Sequence, residues 1–251
     1  MAGIEPAVWA VAAGITLLAG FVKGVVGFAL PMIMLSGLAS ILPVETALAA
    51  LILPTITANA IQLMRDGPQQ ALASALRFRI FIALCILGIF LSAPLVRLLP
   101  GAALLGLVGV VALGFVSFQF VGWRVRVPTG AERRTEAGLG LIAGAIGGVS
   151  GIWGPPTIML LTALDVPKRE HVRVQGGVYT LSAIALALAH LRSGVLNAST
   201  AVLSLTMLAP ALVGMWAGLK VQDRLDADLF RRLTLVALAL TGANLVRRGL
   251  F

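Results

Sequence analysis

Long apolar runs alternate along this chain with short stretches that hold almost all of its charges. A first apolar segment covers residues 7–22 and a second, shorter one residues 28–42. Pro43, Glu45 and Thr46 then mark a turn with a candidate helix N-cap, and a long apolar helix runs to about Met64, stopping at Arg65-Asp66-Gly67-Pro68. Further spans are predicted over residues 79–97 and 102–122, with Pro100-Gly101 turning the chain between them. The second half repeats the plan: residues 138–150, 152–164, 172–191 (ending at Arg192-Ser193-Gly194), 200–219 and 229–246. Residues 28–42 would rise only about 22 Å as a helix, short of a hydrocarbon core of about 30 Å. The short pairs are therefore expected to be hairpins of half-helices meeting near the middle of a membrane.

The breaks between the short segments are themselves repeated. Gly20-Phe21-Val22-Lys23-Gly24-Val25-Val26-Gly27 leads to Pro31, and adding 124 to Gly20, Gly24, Gly27 and Pro31 gives Gly144, Gly148, Gly151 and Pro155. Glycine and proline weaken or free backbone hydrogen bonds, and hydrocarbon has no water to satisfy them. Arg65-Asp66-Gly67 and Arg192-Ser193-Gly194 correspond at an offset of 127, which implies one small insertion. The chain reads as a single membrane domain over residues 1–251. Residues 7–122 form a first repeat, 123–137 a basic cytoplasmic linker and 138–248 a second repeat.

Each half holds three long spans plus a short pair, an odd net number of crossings, so the second half is expected to be upside down. Loop charges agree with that inversion. Residues 42–45 have no cation, while the counterpart 165–173 has Lys168, Arg169 and Arg173. Residues 65–79 have Arg65, Arg77 and Arg79, whereas 192–200 have Arg192 alone. Arg97 stands alone near 97–101, against Lys220, Arg224, Arg231 and Arg232 in 220–232. With the rich loops and the linker (Arg124, Arg126, Arg133, Arg134) in the cytoplasm, both termini are expected outside, although Arg247 and Arg248 run against the rule. The predicted fold class is an all-α polytopic membrane protein with two inverted repeats, each a broken-helix, hairpin-like pair plus three long transmembrane helices.

Composition supports the membrane reading. Of 251 residues 59% are hydrophobic and 12% charged, with a mean hydropathy of +1.01, against about 25% charged in soluble domains. The net charge of +9 belongs to inter-span loops and does not point to nucleic acid. The single cysteine, Cys85, excludes an internal disulfide or a cysteine metal cluster and reads as packing. Met-Ala-Gly-Ile-Glu-Pro lacks the basic n-region of a signal peptide, so residues 7–22 are read as a retained segment.

The candidate chemistry gathers at the breaks. Lys23 is costly at that depth and matches Gly147 in the other half, so the duplicated scaffold does not demand it. It reads as a charge that attracts an anion, against the alternatives of snorkelling to an interface or pairing with a carboxylate such as Glu45. Gly24, Gly27, Pro31 and, in the second copy, Gly148, Ser150, Gly151, Trp153, Gly154 and Pro155 would place backbone donors and polar groups at helix N-termini. The bland reading of these glycines is close helix packing through small-xxx-small spacing. Thr55, Asn59 and Gln62 share one helix face, as do Gln175, Tyr179 and Ser182; Thr55 and Tyr179 coincide at the 124 offset. Those stripes are read either as substrate contacts or as interhelical hydrogen bonds. Two histidines, His171 and His190, and loop aspartates give no nucleophile–base pair and no phosphate loop, so an enzyme is not expected, nor a cofactor or metal.

Two halves that each carry a Gly-x-x-x-Gly-x-x-Gly-x-x-x-Pro run resemble the TauE/SafE sulfite exporter family, from about Thr16 to Gly249. The resemblance implies a bacterial inner-membrane transporter of small sulfur-containing anions such as sulfite, sulfonates or sulfoacetate. The commoner form has consecutive glycines before the proline; here Phe28-Ala29-Leu30 and Ile152-Trp153-Gly154 stand there, and Phe28 and Trp153 would reshape the pocket. The expected partners are a small anion and the lipid bilayer, with a homodimer allowed and no nucleic acid. An anion channel on the same scaffold, or a membrane subunit serving a partner protein, are the other readings. Export is favoured because no buried carboxylate is available to carry a coupled proton.

Overall fold

The computed structural model describes residues 5–64, 67–121, 127–128, 130–222 and 227–250. Arg65, Asp66, Trp123, Arg124, Arg126, Asp223, Arg224 and Asp226 lie outside the described residues, as do the side chains of Lys168, Arg169, Asp228 and Arg231. Thirteen helices follow one another among the described residues, with no strand. In the first half these are α1 (Pro6–Val26), α2 (Leu30–Leu38), α3 (Val44–Met64), α4 (Pro68–Arg77), α5 (Arg79–Ser92), α6 (Leu95–Leu98) and α7 (Gly101–Val121). The second half holds α8 (Glu132–Ser150), α9 (Gly154–Ala163), α10 (Lys168–Ser193), α11 (Ala198–Thr206), α12 (Leu208–Gln222) and α13 (Ala227–Leu250). Among the described residues, six stretches are long and apolar enough to cross a membrane. Exposed Leu17, Leu18, Leu87, Leu91, Val110, Leu205, Val213 and Leu240 give the molecule an apolar outer surface, which a bilayer covers and water does not.

Each short pair folds back at its glycine break, but α1 is no half-helix: it is one of the stretches long and apolar enough to cross a membrane. α2 folds back along α1, with Gly37 against Ile15, and its 9 residues rise only about 13 Å. The first arms are longer than the sequence pattern indicates: α1 has 21 residues and α8 has 19. α8 thus begins inside the stretch read as linker, because Glu132 and the residues after it continue the helical turn that Ala131 opens. Residues 68–77, read as loop, form α4, which Gly67 and Pro68 start. Its exposed Leu72 and Leu76 suit a helix lying at a membrane interface. The single span expected over residues 200–219 is two helices, α11 and α12, with a break at Met207.

Helix directions follow from which glycines meet. In α7 and α13, Gly106 faces Gly249 and Gly109 faces Val246, so these counterparts run antiparallel. In α3 and α10, Leu63 lies by Gly176 while Leu51 and Leu186 meet at Gly151, again antiparallel. Between the halves, α1 and α12 run parallel: Leu17 and Phe21 cover Gly214, and Phe21 covers Gly218. The same contact recurs with the partners exchanged, since Leu141 and Ala145 of α8 cover Gly88 of α5. Leu141 and Ala145 are the 124-residue counterparts of Leu17 and Phe21. Neither half closes its own core; each lends its hairpin arm to the other.

One fault in the scaffold is repaired across this interface. Pro54 inside α3 has no N–H and frees the carbonyl of Ala50. The Ser204 hydroxyl of α11 donates to that carbonyl (3.1 Å) and accepts from the Leu53 N–H (3.0 Å). Loops gather at two ends: Arg77 pairs with Glu170 at 2.7 Å at one, while Arg97 donates to the Ser193 carbonyl and Arg248 to Ser40 at the other.

Candidate functional site

Two chain breaks meet at the centre. α1 ends at Gly27 (φ 85°) and α8 at Gly151 (φ 71°), left-handed conformations that glycine adopts without steric cost. Each closes its helix by the same bond, Gly27 N–H to the Lys23 carbonyl and Gly151 N–H to the Gly147 carbonyl, both 2.7 Å. After the turns, α2 and α9 start without side-chain caps. Prolines reduce what their N-termini offer. In α9, Pro155 and Pro156 carry no N–H and the Thr157 N–H is taken by the Trp153 carbonyl, which leaves the Gly154 amide.

Lys23 is buried to 2% exposure, so it does not snorkel, and it does not pair with Glu45, which lines a separate cavity with Arg248. Its ammonium donates to Asn59 Oδ1 (2.6 Å), Gln62 Oε1 (2.8 Å) and the Gly27 carbonyl (3.1 Å). All three are obligate acceptors, and an ammonium has three protons to give. Among the described residues no carboxylate reaches it.

The two halves fill equivalent space differently. A Cβ on Gly147, the counterpart of Lys23, would lie 2.9 Å from the Trp153 ring. Trp153 in turn is the counterpart of Ala29. The first half therefore pairs a long cation with alanine, and the second pairs glycine with an indole. Ala29 reaches its place only at φ 76°, an uncommon conformation outside glycine.

Between these groups lies a small cavity lined by Lys23, Pro31 and Asn59 on one side and Gly151, Trp153, Gly154 and Tyr179 on the other, with Phe28, Ala29, Met32 and Ile152 completing it. The space open to the centre of a water-sized sphere is about 20 Å³, enough for one or two waters. The Tyr179 hydroxyl, buried at this cavity, makes no well-formed hydrogen bond, with the Thr157 hydroxyl as its nearest candidate partner. The nearby Thr157 hydroxyl donates instead to the Trp153 carbonyl at 2.7 Å. Trp153 and Tyr179 pack with ring centroids 6.2 Å apart.

The family model described as Sulfite exporter TauE/SafE matches residues 12–245, nearly the whole chain. The chain belongs to the TauE/SafE family. Its members are membrane transporters of sulfite and related sulfur-containing anions, and the apolar helices make this chain a multi-pass membrane protein. No curated protein and no solved structure matches it.

In this TauE/SafE chain, Lys23, Pro31, Asn59, Gly151, Trp153, Gly154 and Tyr179 converge on one cavity. Gly27, Gln62 and Gln175 are not part of its lining; the two glutamines lie beside the α-carbon of Gly27. Gly24 and Gly148 do not line it: they let the backbones of α12 and α5 approach, which is the packing role of small-xxx-small spacing. Ser150 is spent locally, donating to the Ile146 carbonyl and accepting from Ile152 N–H, and Pro155 is buried in the first turn of α9. Thr55 is buried away from the cavity with an unpartnered hydroxyl.

Sequence reasoning missed the apolar lining Ala29, Met32 and Ile152, which carry no chemical signal. It also missed His190, whose Nε2 lies 3.0 Å from the Gly148 carbonyl and whose Nδ1 lies 3.2 Å from Ser193 Oγ. That contact supports the last turn of α8.

Proposed function

We propose that this protein is a secondary transporter that exports small sulfur-containing anions, sulfite or short sulfonates, by alternating access at the paired chain breaks. The observation that carries the reading is the cavity at the two breaks, which joins an uncompensated ammonium to an unpartnered buried hydroxyl. An entering oxyanion gives the hydroxyl a partner and gives the ammonium, already held by three neutral oxygens, an opposite charge. The cavity is too small for the anion as it stands, which supports a carrier that opens and closes over an open channel. The antiparallel crossings of α3 with α10 and of α7 with α13 support the inverted arrangement of residues 7–122 and 138–248, since a two-fold axis in the membrane plane reverses each helix. The cation-rich loops go to the cytoplasm of a bacterial inner membrane and the termini outside. Efflux of a monoanion then runs with an inside-negative potential and needs no second ion, at about 2.3 kcal/mol per 100 mV.

The test is counterflow in liposomes holding the purified chain alone. Unlabelled sulfite or methanesulfonate loaded inside is expected to draw labelled anion in, saturably. Flux that rises linearly with concentration and shows no counterflow identifies a channel. Absence of flux leaves the accessory-subunit reading in place of this one.

A further inference from the structure

We infer that Lys23 is a tethered counter-ion that keeps its charge through the whole cycle, so that membrane potential acts on the return of the empty carrier. The inference rests on the transport reading above.

A buried cation with no carboxylate nearby ordinarily sheds its proton or needs a counter-ion. Lys23 has another solution. Asn59 Oδ1, Gln62 Oε1 and the Gly27 carbonyl take its three protons at 2.6, 2.8 and 3.1 Å. A neutral amine has only two protons, so the cage fits the ammonium. Among the described residues, the other groups nearby bring no opposing charge. On α3 they are the amides of Asn59 and Gln62, on α10 Gln175 and Tyr179, and α2 has no ionisable residue. On α12 the nearest cation, Lys220, is exposed and stacks on Trp216 at 3.5 Å. The cage therefore offers the protonated lysine three acceptors when substrate leaves. An entering monoanion replaces one or more cage oxygens and makes the loaded site neutral. The loaded carrier then moves without net charge, and the empty one moves with one positive charge. An inside-negative potential draws the empty carrier back to the cytoplasmic side, which completes export.

Proteoliposomes with methanesulfonate, a monoanion at any working pH, separate these steps. Exchange with saturating anion on both sides uses only the loaded carrier, while net efflux into anion-free medium needs the empty one. Exchange is expected to change less than about two-fold between 0 and −100 mV, inside negative. Net efflux is expected to rise several-fold, within the about 50-fold that one full charge allows at that voltage. Luminal pH, read with a trapped dye, stays constant. Lys23→Gln makes exchange voltage-dependent, and Lys23→Arg keeps it independent. Voltage-dependent wild-type exchange, or one proton moved per anion, overturns the inference while leaving transport intact. Lack of any exchange overturns both. The wild-type comparison decides even if the variants do not fold.

Discussion

At the level of single residues, two buried hydroxyls lacking hydrogen bonds occupy equivalent places in the two halves, yet they have different work. Tyr179 borders the cavity; Thr55 does not. An unpaired buried polar group carries its desolvation cost for nothing until a ligand arrives. Thr55→Val is therefore expected to raise the melting temperature and leave anion affinity unchanged. Tyr179→Phe is expected to be neutral or stabilising in the empty protein. It should weaken sulfite or methanesulfonate binding by about 10-fold, the worth of one hydrogen bond to a charge. Thermal unfolding with and without anion measures both, and equal affinity in wild type and Tyr179→Phe removes the hydroxyl from the site. Much at this scale was legible in sequence. A lysine and glycine breaks in apolar runs are conspicuous, and helical spacing put Asn59 beside Gln62 facing the interior. That Lys23 matches Gly147 was legible, but not that the Trp153 indole fills the space beside Gly147 where the other half has a methylene chain.

Among the elements, the two parallel pairs α1–α12 and α5–α8 hold the halves together through glycine faces. Any Cβ on Gly20, Gly88, Gly144 or Gly214 would enter the backbone of the facing helix, which cannot move aside as a flexible side chain can. Gly214→Leu and Gly88→Leu, at equivalent positions, are each expected to destabilise by about 1–3 kcal/mol or more, the usual cost of overpacking. Gly14→Leu, facing open space, costs little. Melting in detergent tests this. Similar losses at 88 and 214 with none at 14 support exchanged, equivalent interfaces, and tolerance at either site counts against them. Sequence showed the glycine spacing at the breaks but not the partner helices. Small-xxx-small spacing says that something approaches closely without saying what. It also missed α4 and the Met207 break, because residues 68–77 are amphipathic and short, and an apolar run continues unbroken through Met207.

Across the whole molecule, the hairpins decide the topology. If α1–α2 and α8–α9 each return to the side they entered, three spans remain per half, and loops sort strictly between two faces. The contacts already group them: Arg77 with Glu170 at one end, and Arg97 with Ser193, and Arg248 with Ser40, at the other. In the orientation proposed above, the positive-inside rule puts the first end in the cytoplasm. The native thiol of Cys85 is buried and shielded, so a Cys85→Ala background gives clean labelling. In intact cells, single cysteines at Glu45 and Asn197, both exposed, are expected to react with a membrane-impermeant maleimide. Cysteines at Gln70 and Arg133 should react only after permeabilisation. A cysteine at Phe28, beside the deep break, should react slowly from either face and be protected by methanesulfonate. The pairing of Glu45 with Asn197 carries most weight, because they begin α3 and α11 in opposite halves. A parallel duplication would place residue 45 and its counterpart near 169 on the same face, and the inverted one separates them. Labelling at 45 from outside together with labelling near 169 only from inside is therefore the outcome that an upside-down second half requires.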